Sequence, residues 1–132
     1  SEVVDIGGAK VAMAICFVLR FPELFRLYAL RGAELVAVPS AWYRGPAKEE
    51  TLRFLIQSRA HENTYFVASS VLTGENFTGR SMVADPMGVI RLDAGIGECY
   101  VELELEIELI DKVRKILPVL EMRRPEIYGK IS

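Results

Sequence analysis

Apolar residues fall into three short continuous runs, over residues 11–15, 35–38 and 65–71, with two helical stripes between them. Continuous runs of this length read as strands covered on both faces. Residues 22–31 carry Leu24, Leu27, Tyr28 and Leu30 at helical spacing, with Pro22 in the first turn and Gly32 as C-cap. Residues 49–62 form a second helix, with Leu52, Leu55, Ile56 and Ala60 on one stripe and Arg53, Gln57 and His61 off it. A short strand over 3–6 turns at Gly7-Gly8, and residues 43–48 and 73–78 are loops. Segments 81–84 and 89–92 flank Asp85-Pro86-Met87-Gly88 as a hairpin. Residues 98–105 alternate apolar and acidic side chains, which predicts a strand with one wet face. A terminal helix over 107–116 ends before Pro118, and the tail beyond reads as an extended arm. Two strand–helix–strand passages followed by antiparallel strands predict an α/β to α+β domain: a mixed sheet with helices on one face. No internal repeat divides residues 1–132.

Composition narrows the class. Hydrophobic residues make up 51% and charged residues 26% of 132, so a packed core forms and disorder is excluded. The mean hydropathy of +0.22 is high for a small domain and implies a surface covered by another subunit or chain segment. A formal net charge of −2 argues against a nucleic-acid footprint. No apolar run reaches the roughly 20 residues that span a bilayer, and the first residues of this sequence do not read as a secretory signal. Cys16 and Cys99 are too few for a disulfide framework and fit a reducing cytoplasm. Asn76-Phe77-Thr78 is a formal glycosylation sequon that reads as an ordinary loop without such a signal.

Cys16 is the candidate for chemistry. It stands where an apolar strand stops and Phe21-Pro22-Glu23 opens a helix. Such a turn holds a thiol on a rigid element beside backbone N–H groups and a helix N-terminus. That setting favours thiolate and supplies oxyanion donors, as the nucleophile elbow of serine hydrolases does. A buried structural cysteine is the competing reading. Arg20 and Glu23 read as an ion pair holding the elbow, and Arg59 with Glu62 as a one-turn salt bridge. Trp42 follows a strand end and is either a pocket wall or a core anchor. Lys10 reads as the solvated start of a strand, His61 as a solvent-facing helix residue, and Cys99 as an inert thiol on a strand. Glu102, Glu104, Glu106 and Glu108 read as a solvated strand edge rather than a metal site. Nucleotide-loop and CxxC motifs are missing.

The segment Ala14-Ile15-Cys16-Phe17 with Leu19-Arg20-Phe21-Pro22-Glu23-Leu24 closely resembles the cysteine segment of the carbon–nitrogen hydrolase, or nitrilase, superfamily. The resemblance continues in order through Arg31-Gly32-Ala33-Glu34, Pro39-Ser40-Ala41-Trp42, Ser58-Arg59-Ala60 with Glu62-Asn63, the pattern of Gly79, Ser81, Asp85, Pro86 and Gly88, Leu117-Pro118, and Arg123-Arg124-Pro125-Glu126 with Tyr128. Val18 stands where the family often has Asp, and Thr51-Leu52-Arg53 where many members have His-Trp-Glu.

The resemblance implies a four-layer α-β-β-α sandwich, of which residues 1–132 form the C-terminal half. It implies Cys16 as nucleophile, the Phe17 backbone N–H as oxyanion donor, and Ala41 and Trp42 at the substrate. The family's lysine and glutamates lie N-terminal to the cysteine, and only Lys10, Glu2 and Asp5 are available there. The expectation is therefore hydrolysis of a small amide to acid and ammonia through a Cys16 thioester, with this chain inactive alone. The alternatives are a non-catalytic half-domain serving assembly or binding, and a nitrilase or an amide or acyl transferase. No metal or organic cofactor is implied. The implied partners are a small amide or nitrile and either the N-terminal half or a second copy in a homo-oligomer, with no nucleic acid or membrane.

Overall fold

A computed structural model of the chain describes residues 2–129. Six strands form one sheet in sequential order: β1 Val3–Ile6, β2 Ala9–Met13, β3 Leu35–Ala37, β4 Phe66–Ser69, β5 Met82–Ala84 and β6 Ile90–Asp93. β2, β3 and β4 run parallel, while β1 and the β5–β6 hairpin add antiparallel edges. The parallel pairs are linked by α1 Pro22–Leu30 and α2 Lys48–Asn63. Strands added in one direction through right-handed crossovers put both helices on the same face.

The registers display the two faces. Ala12, Val36, Val67 and Ala84 are aligned across four strands and each is 2% exposed or less, under the helices. Leu19, Phe25, Leu52, Ile56 and Tyr65 complete this core. The next row, Met13, Ala37, Ala68, Val83 and Leu92, points the other way. It floors an open groove of about 800 Å³, with Val101, Leu103 and Leu105 along its side. Among the described residues no helix lines that groove, in line with the expected placement of helices on one face.

The expected strand over 98–105 does not form. The segment has no ladder partner and runs as a strap beside the groove, with residues 101, 103 and 105 lining it and the glutamates between them exposed. Alternation records which side meets an apolar surface; it does not require a hydrogen-bonded neighbour. Cys99 is therefore an exposed thiol on this strap rather than a strand residue, its Sγ 3.5 Å from the Ala94 carbonyl. The terminal helix is α3, Glu108–Ile116. The tail is not wholly extended: Pro125–Tyr128 makes one helical turn, α4, opened by proline at its first turn.

Two arginines end α2. Thr64 closes the helix in the left-handed region, at φ +54. The Glu62 carbonyl accepts from Arg26 Nη2 at 2.6 Å, and Arg114 donates to Thr64 Oγ1 at 3.0 Å and the Asn63 carbonyl at 3.4 Å. Cations are favoured at this negative helix end, although burial holds both guanidinium pKa values below their ordinary range.

The Asp-Pro-Met-Gly turn docks on the same helix. Buried Asp85 accepts from the Met87 and Val89 N–H groups and from Arg91 Nε at 2.6 Å. Gly88 has φ +79, and a Cβ there would sit 2.9 Å from the Gln57 carbonyl oxygen. Only glycine allows this approach. His61 is exposed as expected, and its Nδ1 donates to the Met87 carbonyl at 3.0 Å.

Candidate active site

The parallel strands β2, β3 and β4 all deliver their C-terminal ends to one rim, the usual place for ligand-facing loops in such sheets. Beyond the last paired residue of β2, the Ala14 N–H donates to the Ala37 carbonyl and the Cys16 N–H to the Pro39 carbonyl, both at 3.0 Å. The strand expected to residue 15 thus keeps its hydrogen bonds after its regular geometry ends. Tyr28 adds a clamp from α1, donating to the Met13 carbonyl at 2.6 Å. Burial raises its phenol pKa.

At Cys16 the chain turns sharply. Its φ is +49, a left-handed conformation that non-glycine residues adopt at a cost of about 1–3 kcal/mol. The next turn is 3-10, over Cys16–Arg20, and runs into α1 at Pro22. Sγ is half-buried and points to the Ala41 carbonyl at 3.7 Å. Among the described residues, no backbone carbonyl accepts from the Phe17 N–H. A strained cysteine with a neighbouring free N–H is an elbow: it presents a sulfur for attack and a donor for the oxygen that gains charge.

Arg59 closes the far side of the turn. It is 6% exposed and donates through Nε to the Leu19 carbonyl and through Nη1 to Glu62, both at 2.9 Å. The expected Arg59–Glu62 pair is present, but the bond to Leu19 is what ties α2 to the elbow. Spacing along a helix reveals the pair and is silent about a carbonyl forty residues away. The expected Arg20–Glu23 pair does not form among the described residues. Arg20 turns inward instead, its guanidinium 4.6 Å from the Phe17 ring centroid and 4.3 Å from that of Trp42. Glu23 stays exposed in the first turn of α1, where the helix dipole favours a carboxylate.

Trp42 is 3% exposed and donates Nε1 to the Lys48 carbonyl at 2.9 Å, so it is a core anchor. Ala41, half-buried, lies against the thiol. Lys10 lies on β2 as an exposed residue, its aliphatic chain 3.7 Å from the Cβ position of Gly32. Among the described residues no cluster of His, Cys, Asp and Glu could hold a metal, and no helix is long and apolar enough to cross a membrane.

The mixed sheet thus places a cysteine of positive φ at the end of a parallel strand. Comparison with known proteins gives the family. The carbon-nitrogen hydrolase family model matches residues 1–115, and the chain belongs to that family. It is 37% identical over 124 residues to the deaminated glutathione amidase of Escherichia coli O157:H7, a match covering 94% of this chain and 47% of that enzyme. It resembles Saccharomyces cerevisiae Nit3, of branch 10 of the nitrilase superfamily, with a TM-score of 0.85 and 32% identity over 94% of this chain and 47% of that one. A Nesterenkonia sp. AN1 amidase, solved with an acetamide moiety added covalently to its active-site cysteine, matches with a TM-score of 0.80 and 27% identity, covering 96% and 46% of the two chains. The chain spans about half the length of the curated relatives it matches.

Proposed function

We propose that residues 1–132 carry the nucleophile of an amidase that converts a small carboxylate amide to acid and ammonia. The observation that carries the reading is the Cys16 elbow, with φ +49 and a Phe17 N–H next to the thiol that no backbone carbonyl takes among the described residues. Cys16 Sγ attacks the amide carbon, and the Phe17 N–H receives the developing oxyanion. The thiol's proton passes to the amide nitrogen, collapse of the tetrahedral species expels ammonia and leaves a thioester, and water cleaves this to the acid and the free thiol. Ala41 borders the thiol from the segment that follows β3. Amide chemistry, rather than nitrile hydrolysis or acyl transfer, is supported by the amidases among the relatives. Two unpaired cysteines fit a reducing, cytoplasmic setting.

A general base and a second oxyanion donor come from another segment in this reading. Among the described residues the only hydrogen-bond partner of Sγ is the Ala41 carbonyl, which can do neither task. That segment, or a second copy of this one, also covers the apolar row floored by Met13, Ala37, Ala68 and Val83. Light scattering of residues 1–132 then gives an oligomer, and ammonia release from small amides stays at background. The full natural gene product releases ammonia and loses that activity on Cys16→Ser. Robust turnover by residues 1–132 alone would show that base and donor lie within them. Background turnover by the full product across ω-amides of small dicarboxylates would favour a non-catalytic, assembling half-domain.

A further inference from the structure

Arg20 sits four residues beyond the thiol and makes no ion pair among the described residues. Its guanidinium lies over two rings of very different burial. Trp42 is buried and pinned through Nε1 to the Lys48 carbonyl. Phe17 is 60% exposed, touching Phe21 at 5.7 Å between centroids, and has no core to hold it. The stack therefore runs from a buried indole, through a cation, to an exposed ring of the elbow. Phe17 is also the residue whose peptide N–H is unengaged. Fixing its ring restricts the rotations that aim this N–H.

We propose that Arg20 is a positioning residue, a cation clamped between Trp42 and Phe17 that holds the Phe17 N–H on the oxygen of a carbonyl attacked by Cys16. The proposal rests on the reading of Cys16 as nucleophile. It separates two reactions of the same sulfur. In acylation by 4-nitrophenyl acetate, the S–C bond forms, the carbonyl electron pair moves to oxygen, and its return expels 4-nitrophenolate. This path needs the aimed N–H. In alkylation by iodoacetamide, sulfur displaces iodide at a saturated carbon, and no oxyanion appears. Arg20 therefore controls the first rate and not the second.

The test measures both rates at Cys16, by mass mapping, in the full natural gene product. Arg20→Met lowers acylation roughly 10- to 100-fold, the scale of a misaimed oxyanion donor, and leaves alkylation unchanged. Arg20→Lys, which keeps the charge but loses the flat plane, falls between. Phe17→Leu keeps the peptide N–H and removes an exposed ring, so it leaves the core intact. It reproduces the acylation loss, and combining it with Arg20→Met adds nothing further. Equal loss of both rates would make Arg20 a merely structural support and overturn the proposal. Unchanged acylation would also overturn it, as expected if Arg20 instead bound an anionic group on the substrate, which this neutral ester lacks. If the unmodified protein is not acylated at Cys16 at all, the reading of the nucleophile fails first.

Discussion

The bond between Arg59 and the Leu19 carbonyl gives a quantitative prediction about the elbow. Arg59→Met keeps most of the aliphatic volume but removes two hydrogen bonds of 2.9 Å. The two losses differ in kind. Glu62 is 34% exposed at its side chain and regains water when Arg59 is gone. Leu19 is fully buried, so its carbonyl loses a charged donor with little water to replace it. An unmet buried acceptor costs about 1–3 kcal/mol, and a hydrogen bond to a charged group contributes about 1.5–3 kcal/mol. Loss of the guanidinium over the Phe25 ring, at 5.8 Å, adds about 0.5 kcal/mol or more. The expected destabilisation by Arg59→Met is about 2–4 kcal/mol. Glu62→Gln, which spares the Leu19 bond, costs about 1 kcal/mol or less. Urea unfolding of the full natural gene product, with unchanged m-values, reads both as midpoint shifts. A Glu62→Gln effect equal to that of Arg59→Met would show that the ion pair, rather than the carbonyl bond, holds the turn.

Other outcomes follow from the same contacts. Gly88→Ala destabilises by about 2–4 kcal/mol, because it combines left-handed strain with a Cβ 2.9 Å from a backbone oxygen; a urea midpoint equal to that of the unmodified protein would contradict the docking of this turn on α2. Burial raises the pKa of Tyr65, whose hydroxyl donates to the Phe25 carbonyl at 3.0 Å. Its contribution is whole below the unfolded phenol value of about 10 and shrinks as pH rises toward the folded value. Unfolding free energy that stays level from pH 9 to 11.5, tracked with tyrosinate absorbance, would argue against this. Cys99 is exposed and reacts with iodoacetamide, yet Cys99→Ser leaves ammonia release unchanged; a loss of turnover would place the strap at the site.

Much of the architecture is legible along the chain because its causes are local. Pro22, Gly32 and the stripe of Leu52, Leu55, Ile56 and Ala60 mark helices by capping and period alone. The continuous runs around Ala12, Val36 and Val67 mark the covered strands. Segment 98–105 misleads because a strap on an apolar face and a strand on a sheet edge share the same alternation. Arg20 misleads in another way: Glu23 lies one turn away in sequence, but the partners it takes are rings, one of them on a different loop. The position of Cys16 is readable from the end of an apolar run before Pro22. Its positive φ, the unengaged Phe17 N–H and the Arg59–Leu19 bond arise from the packing of β2, β3 and α2, and no spacing rule encodes them.

The most direct test of the account is to trap the acyl group. The full natural gene product is mixed with a small amide, quenched in acid within a turnover and digested with trypsin. The peptide spanning residues 11–20 holds Cys16, and that spanning 92–112 holds Cys99. The acyl mass is expected on the first peptide, sensitive to hydroxylamine as a thioester, with no acyl on either peptide in Cys16→Ala. An acyl group confined to Cys99, or undiminished ammonia release by Cys16→Ala, would contradict it.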